Sequence, residues 1–343
     1  MDKKQFAKTA GKKTAATLTL PVLVYVFMII AYAAQGYGFL NIFTGPALSS
    51  IIADTAYMAI VALGIGFQLK FGRFDFLGGA LIVVSAVIGG VVADATGGGV
   101  AVLMIVAVVV GVVLSVINAT VYSWLKIPIS VCSLAMAYLF ESIPGLVLGG
   151  DEGPSLLFME EYVALGMFPL VLVPLAIACA LYFCYDKFTV VGRQSILLAR
   201  NQGAAVNIGI NEKKNVIVCY IISGILFGLA GAIYATQNRL AVITTPLQTA
   251  GTLFSNIIPS LVGLFLSRFI DDTLGTFVGA LTITLFYFGL GSMGVSGGMR
   301  TIYYAVFLAI FIFVSGFWDQ IIAFFKRLIA KIIQKTSPKA ANT

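Results

Sequence analysis

Two carboxylates, Asp54 and Glu141, stand inside stretches of sequence that otherwise read like hydrocarbon. An acid at the centre of a membrane span costs roughly 2.5–3.5 kcal/mol on insertion scales, so a chain that keeps one uses it to bind or move a solute or ion, or to bond a neighbouring helix. Ser130, Ser133, Ser142, Asn256 and Ser260 are polar side chains in similar settings. With the two acids they form a candidate lining for the passage of a small polar solute. The competing reading is structural: serines in spans bond back to their own helix, and an acid can tie two helices together. Other chemistries drop out. The chain has no histidine, which removes His-ligated haem, zinc-protease chemistry, Ser-His catalysis and histidine proton relays. Cys132, Cys179, Cys184 and Cys219 fall in apolar runs without a C-x-x-C pair and read as small core residues. Residues 10–14, AGKKT, imitate the end of a phosphate-binding loop, but Phe6 occupies the position of its first glycine and Lys13 that of its Ser or Thr. No catalytic residue, metal set or cofactor is expected.

The elements that must position these side chains are membrane helices. The 343 residues are 60% hydrophobic and 10% charged, with a mean hydropathy of +1.02, which describes an all-α polytopic membrane protein. About ten spans emerge, at 18–36, 47–69, 76–94, 99–124, 127–149, 163–185, 214–237, 250–267, 273–293 and 299–323. With both termini cytoplasmic, nineteen of the 21 Lys and Arg residues fall inside and Arg239 and Arg300 outside, a strong positive-inside bias to which the choice of boundaries contributes. The net charge of +7 therefore belongs to loops at a lipid surface, and nucleic acid is not an expected partner. The chain reads as a tail at 1–17, a membrane domain at 18–324 and a basic tail at 325–343. Its start imitates a secretory signal, but the spans that follow favour a retained first helix. The acidic loop at 150–162 lands outside, as a solvated surface or one for an external partner.

One polar segment interrupts the apolar pattern. GRQSILLARNQGAAVNIGINEKKN, residues 192–215, lies on the inside within a connection at about 186–213. Loops of that length usually carry function. Ile196, Leu197, Ala204, Ala205 and Ile208 roughly share one face of a short interrupted helix at the membrane surface. The pair Ala204-Ala205 permits close approach of a partner, and Gly209 supplies a stop before the next span. Ala205→Arg is thus expected to break docking while leaving insertion intact. Gly224, Gly228 and Ala232 form a small-x-x-x-small ridge for helix packing, whereas glycine clusters at 78–79, 89–90, 97–99 and 297–298 could mark broken helices beside a pathway. The stretches 70–84 and 268–283 weakly echo one another.

Gly192-Arg193, Arg200-Asn201, Ala204-Ala205 and Gly209-Ile210-Asn211, followed by YIISGILFGLAGAIYATQNR at 220–239, resemble the signature of ribose-, galactose- and xylose-type ABC-importer permeases, a family that includes branched-chain amino-acid and nucleoside permeases. GRFDFLGG at 72–79, ISVCSLAMAYLFES at 129–142 and LGTFVGALTITLFYFGLGSMGVS at 274–296 are similar to further family elements, so the resemblance spans most of the chain after the first helix. It implies that the central segment is the loop on which cytoplasmic ATP-binding subunits dock, and it adds Asp75 to the pathway set. It also implies an extracytoplasmic solute-binding protein, a second permease subunit, identical or related, and a multi-pass place in a bacterial inner membrane. There are departures. VGLFLSRFIDD at 262–272 replaces a glycine-rich stretch, Glu141-Ser142 replaces Arg-Gly, and Leu77 stands where a serine is expected. The resemblance favours a monosaccharide, with nucleosides and branched-chain amino acids behind it. Two rivals stay open: an ion-coupled secondary transporter using Asp54 and Glu141, and a structural subunit with no pathway of its own.

Overall fold

Backbone amides inside hydrocarbon find no water, so each apolar run satisfies its hydrogen bonds internally as a helix. The computed structural model describes residues 21–30, 33, 44–125, 127–150, 152–267, 269–295, 297–318, 320, 323 and 327. These contain α1 (Pro21–Ile30), α2 (Gly45–Lys70), α3 (Gly78–Thr96), α4 (Gly99–Leu125), α5 (Ile129–Phe140), α6 (Ile143–Leu148), α7 (Glu160–Val163), α8 (Leu172–Phe188), α9 (Val190–Arg200), α10 (Gln202–Asn207), α11 (Glu212–Gln237), α12 (Gln248–Leu266), α13 (Asp272–Ser292) and α14 (Gly297–Gly316). Short 3-10 turns at Leu156–Phe158 and Ala164–Gly166 flank α7. Among the described residues, eight segments are long and apolar enough to span a membrane, with α5 and α6 counted together as Ile129–Leu148. A ninth follows if α8 is joined to α9, from which it bends by 73°. The expected first span is represented by α1. Most of its other residues, the tail at 1–17 and nearly all of 325–343 lie outside the described residues, as do Lys126, Arg268 and Asp151 of the acidic loop.

The chain divides into two compact units, Met1–Gly289 and Leu290–Thr343. In the first, α11 is the central post, packed against α4, α3 and α2. The glycine ridge makes that packing possible. A methyl group on Gly228 would sit 2.6 Å from the Val108 Cα, and one on Gly224 would sit 2.7 Å from the Gly111 carbonyl oxygen. Lipid tails are as apolar as side chains, so such close backbone approach supplies the dispersion contact that holds membrane helices together. Not every glycine pair breaks a helix: α3 runs unbroken through Gly89 and Gly90, which instead admit Leu103, Ala107 and Leu240. The second unit carries the end of α13 and α14, with the Arg300 guanidinium donating to the Val295 carbonyl at 3.2 Å.

At one end of the first unit the helices are tied by charge. The Lys70 ammonium closing α2 reaches Asp186 of α8 at 2.6 Å and also binds Asp272 at the start of α13. Lys187 bridges Asp186 at 3.3 Å and Asp271 at 2.8 Å. Partial burial disfavours the Asp271 carboxylate, but the Lys187 ammonium and the Thr273 amide outweigh it and hold this carboxyl below its usual pKa.

Lys70→Met leaves Asp186 and Asp272 without their shared cation. It is expected to destabilise the detergent-solubilised protein by about 3 kcal/mol, read as a lower melting temperature. The Asp271 contribution is complete above the unfolded carboxyl value of about 3.9 and is lost as pH falls through the lower folded value. Asp271→Asn should remove that acid-side loss, as melting curves followed below about pH 4 would record.

Candidate functional site

The polar segment folds as an elbow because three side chains start three helices in succession. Thr189 accepts from the Gly192 amide at 3.0 Å and opens α9; Asn201 accepts from the Ala204 amide at 3.0 Å and opens α10; Asn211 accepts from the Lys214 amide at 3.0 Å and opens α11. The end of α10 is equally specific. Gly209, at φ 91°, donates to the Val206 carbonyl at 2.9 Å, and the Ile210 amide returns to the Ala205 carbonyl at 3.2 Å. That pair of bonds closes a helix when the residue after its cap is left-handed, a role suited to glycine. Gly192 is buried against the Tyr185 carbonyl, where a larger residue would clash.

The inward face differs from the one read off the helical wheel. Leu198, Ala205 and Ile210 pack together inside the elbow, and Ala205 is only 3% exposed. Ala204, Leu197, Val206 and Ile208 point outward, Ile208 at 72% exposure, with Arg193, Arg200 and Asn201 also exposed. The reason is the left-handed Gly209, which turns Ile210 back under α10 and leaves Ile208 at the tip. Ala205→Arg would therefore disrupt the elbow itself rather than its outer surface.

Under the elbow lies a buried polar cluster that sequence reading missed. The Asn215 carboxamide of α11 donates to the Val191 carbonyl of α9 at 3.1 Å and accepts from Ser195 at 3.0 Å and from Arg73 at 3.4 Å. Tyr185 bonds Ser195 and Cys219, each at 3.1 Å, and Gln68 donates to Ser223 at 2.9 Å. Polar residues Asn215, Cys219 and Ser223 recur every four positions along α11, a stripe that could have signalled the cluster.

The remaining predicted residues form separate groups. Asp75 accepts from the Leu77 amide at 2.7 Å, and Ser133 accepts from the neighbouring Phe76 amide at 3.1 Å while donating to the Ser130 carbonyl at 3.3 Å. These join α5 to the irregular segment 73–77 that leads into α3. Ser260 donates to the Ala62 carbonyl of α2 at 2.8 Å. Ser142 bonds back to Leu139, and Asn256 to Thr252 with its buried oxygen left unpaired. Asp54 stands exposed on α2 in the single chain.

Glu141 occupies the most constrained position. It is 5% exposed, at the break between α5 and α6, and its two oxygens accept from the Leu247 amide at 2.6 Å, the Thr249 amide at 2.7 Å and the Thr249 hydroxyl at 2.6 Å. A carboxylate from one broken span thus caps the start of α12, 106 to 108 positions away in sequence. Leu247 is held at φ 58°, a left-handed conformation unfavourable for a residue with a Cβ and sustained by its surroundings. The depth of this clasp follows from its neighbours. Thr249 meets Gly79, while Gly78 lies against Phe227, near the middle of the full-length span α11. The start of α3, the α5–α6 break and the start of α12 therefore meet halfway along the bundle, an arrangement of broken helices found where transporters hold solutes.

Residues 47–315 match the family described as branched-chain amino acid transport system, permease component. The autoinducer 2 import system permease protein LsrC of Enterobacter sp. (strain 638) is 27% identical over 283 residues, covering 81% of this chain and 79% of that protein. The galactose/methyl galactoside import permease protein MglC of Escherichia coli (strain K12) is 22% identical over 311 residues, covering 83% and 91%. LsrC of Yersinia pestis (strain Pestoides F) is 24% identical over 250 residues, covering 71% and 70%.

Glu141→Ala strands three donors at the head of α12. It is expected to cost about 3 kcal/mol and to raise hydrogen exchange at the Leu247 and Thr249 amides, whereas Glu141→Gln, which keeps one oxygen, should fall between. Mass-resolved exchange across residues 239–252, alongside melting temperature, checks both.

Proposed function

The chain belongs to the family of branched-chain amino acid transport system permease components, a multi-pass inner-membrane transport component rather than an enzyme, and from that premise we propose that it forms the pathway of an ATP-driven importer for a monosaccharide. The observation that carries this reading is the elbow. Three capped helices hold Leu197, Ala204, Val206 and Ile208 outward on a short rigid projection. An exposed apolar tip beside Arg193 and Arg200 is suited to insertion into a groove of a partner. The chain carries no phosphate-binding loop of its own, so the partner that would drive transport is a separate ATP-binding subunit on the cytoplasmic side. On this reading ATP turnover biases a two-state pathway, and a solute-loaded binding protein on the other face favours one of the states. A second permease copy or a related subunit completes the pathway. The sugar assignment leans on the names of two relatives, one for galactose and methyl galactoside and one for autoinducer 2.

The ion-coupled rival needs a carboxylate free to take and release a cation. Glu141 is engaged by three donors, which weighs against that use.

Ile208→Asp and Ala204→Arg alter only the outer face of the elbow. Each is expected to leave membrane insertion and melting temperature unchanged while lowering solute-stimulated ATP hydrolysis of the assembled importer by about tenfold or more. Ala205→Arg, by contrast, should lower the melting temperature. Full coupling in both outer-face variants would overturn the docking assignment.

A further inference from the structure

Past the end of α11 the chain adopts a backbone that hydrocarbon does not tolerate. Residues 239–247 return without helix from the end of α11 towards its middle. Leu240 packs against Gly90, in the last turns of α3, whereas Thr249 meets Gly79 at its start. Irregular backbone at that depth persists only where protein seals it or where it borders a watered cavity. One edge is sealed: the Leu240 carbonyl accepts from the Gly153 amide at 2.8 Å, and the Leu247 amide is held by Glu141. Between them, the amides of Ala241, Val242 and Ile243 bond no acceptor among the described residues. These three residues border a cavity of about 220 Å³.

The walls of that cavity differ in chemistry. Val83 and Val87 of α3 present an apolar surface, while Tyr234, Arg239, Gln248 and Thr252 bring a phenol, a guanidinium, a carboxamide and a hydroxyl. Among the described residues, no carboxylate lines it. Glu141 sits behind Thr249 with both oxygens already engaged. One cation, groups that both donate and accept, and an apolar wall disfavour a cationic solute and suit a neutral ring that carries hydroxyls at its edge and C–H groups on its face.

We propose that this cavity is a solute subsite of the pathway and takes a neutral monosaccharide, with hydroxyls on Arg239, Gln248, Thr252 and the open 241–243 amides and with a C–H face on Val83 and Val87. The Glu141 clasp fixes the wall of the subsite by anchoring Leu247 and Thr249. The assignment rests on the sugar-importer reading above and gives it a location within one permease chain.

The test uses the assembled importer, purified with its ATP-binding subunits and placed in vesicles with sugar-loaded binding protein. Accumulation of radiolabelled D-galactose and D-ribose is measured beside ATP hydrolysis in the same vesicles. Thr252→Trp, which fills the cavity, is expected to cut accumulation about tenfold or more while leaving hydrolysis stimulated. Arg239→Gln and Gln248→Ala should each lower the sugar moved per ATP hydrolysed, and by different factors for the two sugars. Should Thr252→Trp fail to reach the membrane in normal amount, the two polar variants decide. Unchanged sugar per ATP in these variants, or equal loss of accumulation and hydrolysis, would overturn the subsite and leave the importer reading standing. Accumulation of neither sugar by the unaltered assembly would overturn the sugar reading, and the subsite with it.

Discussion

A helix that stops inside a membrane leaves amides or carbonyls with no water to meet them, and the fold depends on how this chain answers that demand. Glu141 answers it for α12. Its carboxylate supplies acceptors for the two amides and one hydroxyl at the head of that helix, and the helix dipole favours its negative charge there. The burial cost of the acid and the cost of the broken span therefore offset one another, which neither feature would achieve alone. Gly79 belongs to the same solution, because any side chain there would collide with the Thr249 carbonyl and push the head of α12 away from α3. Asp75 plays a smaller version of the same part for α3 through the Leu77 amide.

A contiguous set of contacts runs from the elbow to that junction. Val191 and Ser195 of α9 hold Asn215 of α11, and Asn215 meets Arg73 in the segment after α2. Two residues further on, Asp75 and Phe76 engage Leu77 and Ser133, and Ser133 lies within the short helix α5, which Glu141 follows as its cap. The bonds of Asn215 to Ser195 and to Arg73 are buried and join different elements, where loss of one partner is more costly than at a surface. A displacement of α9 thus cannot leave Arg73 and the entry to α3 in place without breaking or dragging these bonds.

Much of the architecture was legible because spans are written in long apolar runs and their number follows from length alone. The elbow was legible in outline, since a polar run interrupts the apolar spans there and Gly209 is a good stop. Its facing was not: a wheel drawn through Ala205 and Ile208 puts both on one side, whereas Ala205 is buried and Ile208, the cap of α10, is exposed. The polar residues of the spans were picked out by type, and the structure sorts them by partner. Ser142 bonds back to the end of α5, Ser260 bonds α2, and Ser133 and Glu141 hold irregular backbone. No local pattern announces a partner 106 positions away. The cavity-bordering segment 239–247 was hidden for a related reason, because its apolar composition suits a helix end as well as a return into the bundle.

The departure at 262–272 has a physical reading of the same kind. In place of the glycine-rich stretch that the family resemblance leads one to expect, the chain keeps Gly263, which lies against the backbone of Thr276 where a side chain would clash, and ends in Asp271-Asp272. The two acids bind Lys187 and Lys70, so the start of α13 is tied to α8 and α2 by charge. Asp186, 8% exposed and shared by both lysines, is the hub of this set. Salt screens such a partly buried hub less than a surface pair. Freedom that glycine would give to the backbone is thereby replaced by a joint that opens only when several ion pairs part together. Moving α13 away from α8 and α2 at this end strands Asp271 and Asp272, each held by one lysine, whereas Lys70 and Lys187 keep Asp186 between them.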